Sequence, residues 1–293
     1  MELVDELLVG AVDIHVHNMM MKGYRWNLVD LANKAIESQM KAIVLKNFYG
    51  SSSEMAYFVN HFVGKEVFVG SIVLNRWVGG LNPVAVEDSM NYGNGIKIVS
   101  MPTRHALNHL KLSKGNMNNA VQLFDGNEIL PELAEIMKII AKNDLVLATG
   151  HISPEESLRL IEAARNMGVK KIVVTHASAI PVMASLDHQK EMAKKGALIE
   201  QCMASCMPFH SIKMKQRFGM DVNYNTEKII RHLVEVGIER CVISSDFGQE
   251  HNPYSVDGIR LFVRALLDSK LTSEQIRILV RDNPRKLLGM QEN

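Results

Sequence analysis

Two histidines, His15 and His17, close a short apolar run near the start of the chain. Residues two apart in a β-strand share a face, so the two imidazoles stand side by side and can hold one divalent ion. Three more ligand-type residues end comparable runs: His151 after 145–149, His176 after 172–175 and Asp246 after 241–245. A single histidine behind a strand is commonly a satisfied polar terminus. Four histidines and one carboxylate at the same end of four runs say more, because one site can gather all five around one ion or two. Imidazole and carboxylate suit zinc, the default, while iron, manganese, cobalt and nickel accept the same donors.

A metal ion held by histidines brings the pKa of its water toward about 7, and a nearby carboxylate can take the proton as the water attacks a carbonyl or phosphoryl centre. Asp246 is the expected base. Lys46, His176 and His109 are expected to stabilise the developing oxyanion. Thr103, Arg104, His105, Asn108 and His109, which follow the run 96–101, are read together with Lys46 as substrate-facing. Glu200 and Gln201 are strand neighbours, so only one can face inward, and Glu200 is preferred. The expected activity is metal-dependent hydrolysis of an amide, ester, lactone or phosphoester of a small molecule. The alternative is a metal-dependent non-oxidative decarboxylase or hydratase of a small carboxylic acid, which an arginine near the metal would favour. A barrel that binds metal or metabolite without turnover is the third reading.

The elements that must position these residues are legible. Eight apolar, β-rich runs begin at 12, 42, 67, 96, 145, 172, 197 and 241, and five of the seven spacings, between 25 and 30 residues, suit one strand and one helix. Capping residues mark the helices between them: Asn27, Asn82 with Pro83, Ser153 with Pro154 and Glu156, and Thr272 with Gln275. Runs that are continuously apolar suit parallel strands covered on both faces, and eight of them predict an α/β fold, a (β/α)8 TIM barrel. A doubly wound sheet should carry a glycine-rich loop after an early strand, where this chain has His15-Val16-His17. The reading is a single domain over 1–293, with long loops after strands four and seven (102–143 and 203–240). The first of these, rich in Gly and Asn, is expected to form a mobile cover over the barrel mouth. Tyr49, Tyr57, Phe58 and Phe62 are assigned to helix and barrel packing, and most of the 18 methionines to gap filling.

Composition narrows the setting. The 293 residues carry 33 basic and 32 acidic side chains, a net charge of +1, which gives no nucleic-acid signal. Three cysteines without zinc-ligand spacing point to a reducing compartment, so the expected location is cytoplasmic. No run approaches a membrane span, and Glu2, Asp5 and Glu6 stand where a signal peptide would be basic. A small-molecule substrate is the expected partner, with no nucleic acid or membrane, and a homo-oligomer is compatible with the composition.

The Asp13-x-His15-x-His17 run, the histidines at 151 and 176, Asp246 and the closing 282–289 segment DNPRKLLG together resemble the amidohydrolase superfamily of metal-dependent barrel enzymes. Within it, Val44-Leu45-Lys46-Asn47, Met101-Pro102-Thr103 and Ser244-Ser245-Asp246 resemble an uncharacterised branch. The resemblance runs from Asp13 to Gly289 and implies a mono- or binuclear metal centre with His15, His17, His151, His176 and Asp246 as ligands. One departure stands out: the bridging lysine or glutamate usual at the end of strand four is replaced by Ser100-Met101-Pro102-Thr103. Lys97 is about 10 Å too deep to substitute. Lys46, ending strand two, is the nearest replacement, either carboxylated or as a free ammonium.

Overall fold

The computed structural model describes residues 2–24, 27–220 and 226–290. Eight parallel strands pair in sequence order: β1 (Val12–His17), β2 (Ala42–Lys46), β3 (Phe68–Val73), β4 (Ile96–Ser100), β7 (Val146–Ala148), β8 (Lys171–Val174), β9 (Leu198–Cys202) and β10 (Cys241–Ser244). A two-stranded hairpin, β5 (Phe124–Asp125) and β6 (Glu128–Ile129), interrupts the connection from β4 to β7. The barrel closes through Val16, which bridges Phe247 in parallel, with the His17 amide donating to the Phe247 carbonyl at 2.7 Å and the Asp246 amide to the His15 carbonyl at 2.9 Å. Helices alternate with the strands outside, as the spacing predicts. The four caps act as expected: Asn27 and Asn82 accept backbone amides of their helices' first turns, and Ser153–Glu156 and Thr272–Gln275 are complete capping boxes. Among the described residues no helix is long and apolar enough to cross a membrane.

Both strand faces are apolar because both are covered. Val12, Ile14, Val44, Ile98, Ala148, Val173 and Val242 fill the barrel interior. Ile43, Leu45, Val99, Leu147, Ile199 and Ile243 pack outward with the helices. β1 departs from simple alternation. Asp13 pairs with Ile43 but Val16 with Leu45, so β1 holds one more residue than β2 between these pairs, a bulge at Ile14 and His15. Ile14 therefore faces the interior as Val12 does, while Val16 joins the outer core and His15 and His17 turn inward above Ile14.

Two expectations are corrected. Tyr49, Tyr57, Phe58 and Phe62 do not pack inside; they are exposed, Phe58 and Phe62 by about two-thirds (64% and 66%). The helix Ser53–Val63 instead buries Ala56 and Val59, on its opposite side. The segment 111–128 lines none of the cavity at the barrel mouth and folds into short elements held by contacts: Leu123 is buried, Arg76 donates to the Asn118 carbonyl and the Asn119 side chain, and Arg159 to the Gly126 carbonyl.

The closing seam yields the first prediction. Gly248 lies at φ +128°, and a Cβ there would run into the His17 carbonyl. Gly248→Ala is expected to cost about 2–5 kcal/mol from backbone strain and overpacking, read as a shift in the denaturant midpoint. A variant as stable as the parent would contradict this account of the seam.

Candidate metal centre

The bulge in β1 and the chain beyond β10 bring His15, His17 and Asp246 together at the carboxyl end of the barrel. His17 Nε2 lies 2.8 Å and His15 Nε2 3.3 Å from Asp246 Oδ1. Their donor atoms, one per residue, fall within 4.8 Å of one another, and all three side chains are buried. A tetrahedral zinc ion with 2.0–2.1 Å bonds separates its donors by roughly 3.3 Å, so the spacing fits a shared cation. Two further observations test the fit. His17 Nδ1 and His176 Nδ1 are buried without hydrogen-bond partners, and buried ring nitrogens of this kind rarely go unsatisfied. His15 Nδ1 lies 3.2 Å from Glu200 Oε1, the carboxylate–imidazole contact that fixes a ligand's tautomer and aims its other nitrogen. The residues present fit a divalent cation.

His176 and His151 extend the cluster. The His176 ring lies 5.8 Å from that of His15 and 4.9 Å from that of His151, which in turn stacks on His109 with Nδ1 to Nδ1 at 2.8 Å. One nitrogen of this last pair must carry a proton and the other a lone pair. Lys46 Nζ sits 3.1 Å from His15 Nε2, while at the end of β4 Ser100 points its hydroxyl to the Met101 carbonyl, and Lys97 is exposed. Two of the ligand-type residues adopt left-handed backbone, His176 at φ 27° and Asp246 at φ 54°. Such conformations cost about 1–3 kcal/mol each and persist where surrounding structure imposes them, characteristically at functional sites.

Burial and mutual charge set the protonation states. Burial lowers the pKa of His17 and His176 to about 4 and that of His109 to about 3, so these rings are neutral near pH 7. Burial alone would raise the two carboxylates, but the imidazoles around them outweigh it: Glu200 falls to about 2, and Asp246 lies well below the usual range. Lys46 is pushed down by burial, partly offset by Glu200 and Asp246. The consequence for stability has a definite sign. An unfolded chain takes up histidine protons near pH 6.5, the fold only near 4 or 3, so the unfolded state binds more protons in that window and stability falls as pH drops below about 6.5. Glu200 extends the loss below its ordinary pKa in the same direction. The denaturant midpoint of metal-free protein is expected to fall steadily from pH 7 to pH 4.5; a flat profile would contradict buried neutral histidines.

Above the cluster opens a cavity of about 470 Å³, whose wall includes His17, His109, His151, His176 and Asp246. The remaining expected substrate contacts lie elsewhere. Thr103 is fully buried and tied to Asn75, which donates to its hydroxyl and accepts from its amide, both at 3.0 Å. His105 packs edge-on against Trp77, ring centroids 4.4 Å apart, and Asn108 donates to the His151 and Pro181 carbonyls. Asn75, just past β3, accepts the amides of Thr103 and His105 and so fixes the start of this loop, and none of these three side chains lines the main cavity. Lys46 and Glu200 sit one layer below the main cavity, against His15. Glu200 faces inward as preferred and also takes the His176 amide at 2.7 Å, while Gln201 points outward to Gln189. The wall is completed by Arg104, grouped in the sequence reading with the substrate-facing residues after β4, and by residues that reading passed over: Lys22, Tyr24, His210, Lys213 and Arg217, together with Phe218 and His251. Their loops carry no spacing that marks them, and only the closed barrel brings them together.

Solved structures share this architecture across nearly their whole length. An amidohydrolase from Pseudomonas aeruginosa aligns with a TM-score of 0.64 at 12% identity, covering 98% of this chain and 97% of that one. The probable dipeptidase PvdM from the same organism gives 0.65 at 13% identity, covering 98% and 96%. An amidohydrolase from Burkholderia multivorans with bound zinc gives 0.62 at 12% identity, covering 96% and 99%. These likenesses establish the amidohydrolase-type TIM-barrel fold. No curated protein matches the chain. The model of a protein family described as "Family of unknown function (DUF6282)" matches residues 10–200, from the approach to β1 through Glu200. That span holds four of the five ligand-type residues and most of the barrel, and the chain belongs to this family.

Proposed function

We propose that the protein is a metal-dependent hydrolase acting on an amide, ester, lactone or phosphoester of a small molecule, in a reducing, cytoplasmic setting. The observation that carries this reading is the convergence of His15, His17 and Asp246 on one point at the floor of an open cavity. A divalent cation held there, zinc by donor type, supplies Lewis acidity and lowers the pKa of water. The fold neighbours support the reading, one of them holding zinc. His151 and His176 stand close enough to take part in holding one ion or a second.

The chain's own groups divide the work. Asp246 is ionised and accepts the proton of the attacking water at its carboxylate. His176 is neutral and can donate one N–H to charge developing on the electrophile's oxygen. Lys46, directly beneath His15, adds positive charge to the floor and helps hold the ionised carboxylates. Glu200 orients His15 and supports the backbone of His176.

A second reading, a metal-dependent decarboxylase or hydratase of a small carboxylic acid, is favoured by one feature: Arg104 and Arg217 line the same cavity. Incubating the zinc-loaded protein in ¹⁸O-water with panels of amides, lactones, phosphoesters and carboxylic acids separates the two. Solvent oxygen in a non-exchanging product supports hydrolysis. Carbon dioxide release without it supports the second reading.

A further inference from the structure

The wall of the main cavity opposite the metal ligands is rich in cations. Lys22, Arg104, Lys213 and Arg217 line it, against a single rim carboxylate, Glu250, besides Asp246 at the floor. Among the described residues, none of these four cations is paired with a carboxylate. Arg104 is half-buried and held in place: its guanidinium lies 4.9 Å over the Phe48 ring and donates to the Tyr24 hydroxyl at 3.4 Å. Phe48 in turn packs on His17, ring centroids 4.8 Å apart, so Arg104 is one aromatic ring from the candidate ligands. Arg217, on the helix Pro208–Phe218, precedes Phe218, which packs edge-on against His109 at 5.2 Å. The two guanidiniums are near enough to repel each other, and both reinforce the burial that keeps His109 uncharged.

Lone surface arginines are ordinarily solvated, but Arg104, fixed at the wall, and the more exposed Arg217 line one concavity without acidic partners among the described residues, and together they can receive an anion. A cleft lined by one sign of charge also concentrates ligands of the other. We propose that Arg104 and Arg217 form an oxyanion clamp, with Lys22 and Lys213 as outer attraction, so that the substrate carries a carboxylate or phosphate beside its reacting group. The planar fork of each guanidinium suits either oxyanion. The inference rests on the reading that this cavity is the active site, and it narrows the substrate class from any small ester, lactone or amide to an anionic one.

Calorimetric titration of the as-purified full chain with inorganic phosphate and with glutarate, at low salt, tests the clamp. Neutral glutaramide serves as control. At least one anion is expected to bind and the amide not to; which anion binds identifies the oxyanion preferred. Arg104→Gln or Arg217→Gln should weaken binding about tenfold or more, and Arg217→Lys less, because it keeps charge but loses the fork. Melting curves verify that the variants are folded. The double variant of His15→Ala and His17→Ala, which removes the metal as a competing anion site, should still bind the anion and should still lose about tenfold on Arg104→Gln or Arg217→Gln. The clamp is overturned if the wild type binds neither anion, if the double variant of Arg104→Gln and Arg217→Gln binds as well as the parent, or if loss occurs with the histidine variants alone. The hydrolase reading fails independently: protein that binds anions through these arginines but holds no divalent metal keeps the clamp and loses that reading.

Discussion

Replacing His15 and His17 together by alanine is expected to strip most of the divalent metal from purified protein while leaving the barrel folded. Both imidazoles meet the Asp246 carboxylate, so the double change leaves one donor of the convergent three. The loss should exceed the roughly 10–100-fold that supporting contacts around a metal ligand command. The fold should survive because the closing seam uses backbone groups at these positions, the His17 amide and the His15 carbonyl, which alanine retains. Metal content by elemental analysis, beside a circular dichroism spectrum, provides the measurement. Full metal retention in a folded double variant would remove His15 and His17 from the site.

The second large effect concerns Asp246. Asparagine preserves its size and one oxygen donor but cannot accept a proton, so Asp246→Asn is expected to lower turnover by about 100-fold to 10,000-fold while metal content largely remains. The carboxylate is buried, held ionised by His15, His17 and His176, and its left-handed backbone is one that asparagine also tolerates. Loss of activity should therefore reflect the missing base rather than a collapsed turn. Near-normal turnover with metal bound would exclude Asp246 as the base, and turnover should be compared at several pH values so that a shifted optimum is not mistaken for loss.

The barrel was legible from spacing and capping because each strand and helix repeats the same local chemistry, and the ligand-type residues were legible because they all end strands. Glu200 could be chosen over Gln201 by alternation alone, and the structure places it against His15. What could not be read depends on contacts distant in sequence. Nothing near Thr103 reveals that Asn75, 28 residues earlier, claims its hydroxyl and amide. Arg217 acquires meaning only where the helix Pro208–Phe218 shares one cavity wall with Arg104, from the loop after a different strand. The exposed aromatics of the helix Ser53–Val63 were misread because hydrophobic identity was taken for burial, whereas its inward side is made by the smaller Ala56 and Val59.

The bulge in β1 works like a change of reading frame. Read by strict alternation, Val12, Ile14 and Val16 would share one face and Asp13, His15 and His17 the other, so a barrel that took Val12 inside would send both histidines out among the helices. The one extra residue shifts the frame after Ile14, and a single strand spells core below and ligands above. Were the same residues to pair with β2 in strict alternation, without the bulge, every side chain would remain in the sequence but its meaning would be transposed, turning the histidines away from Asp246.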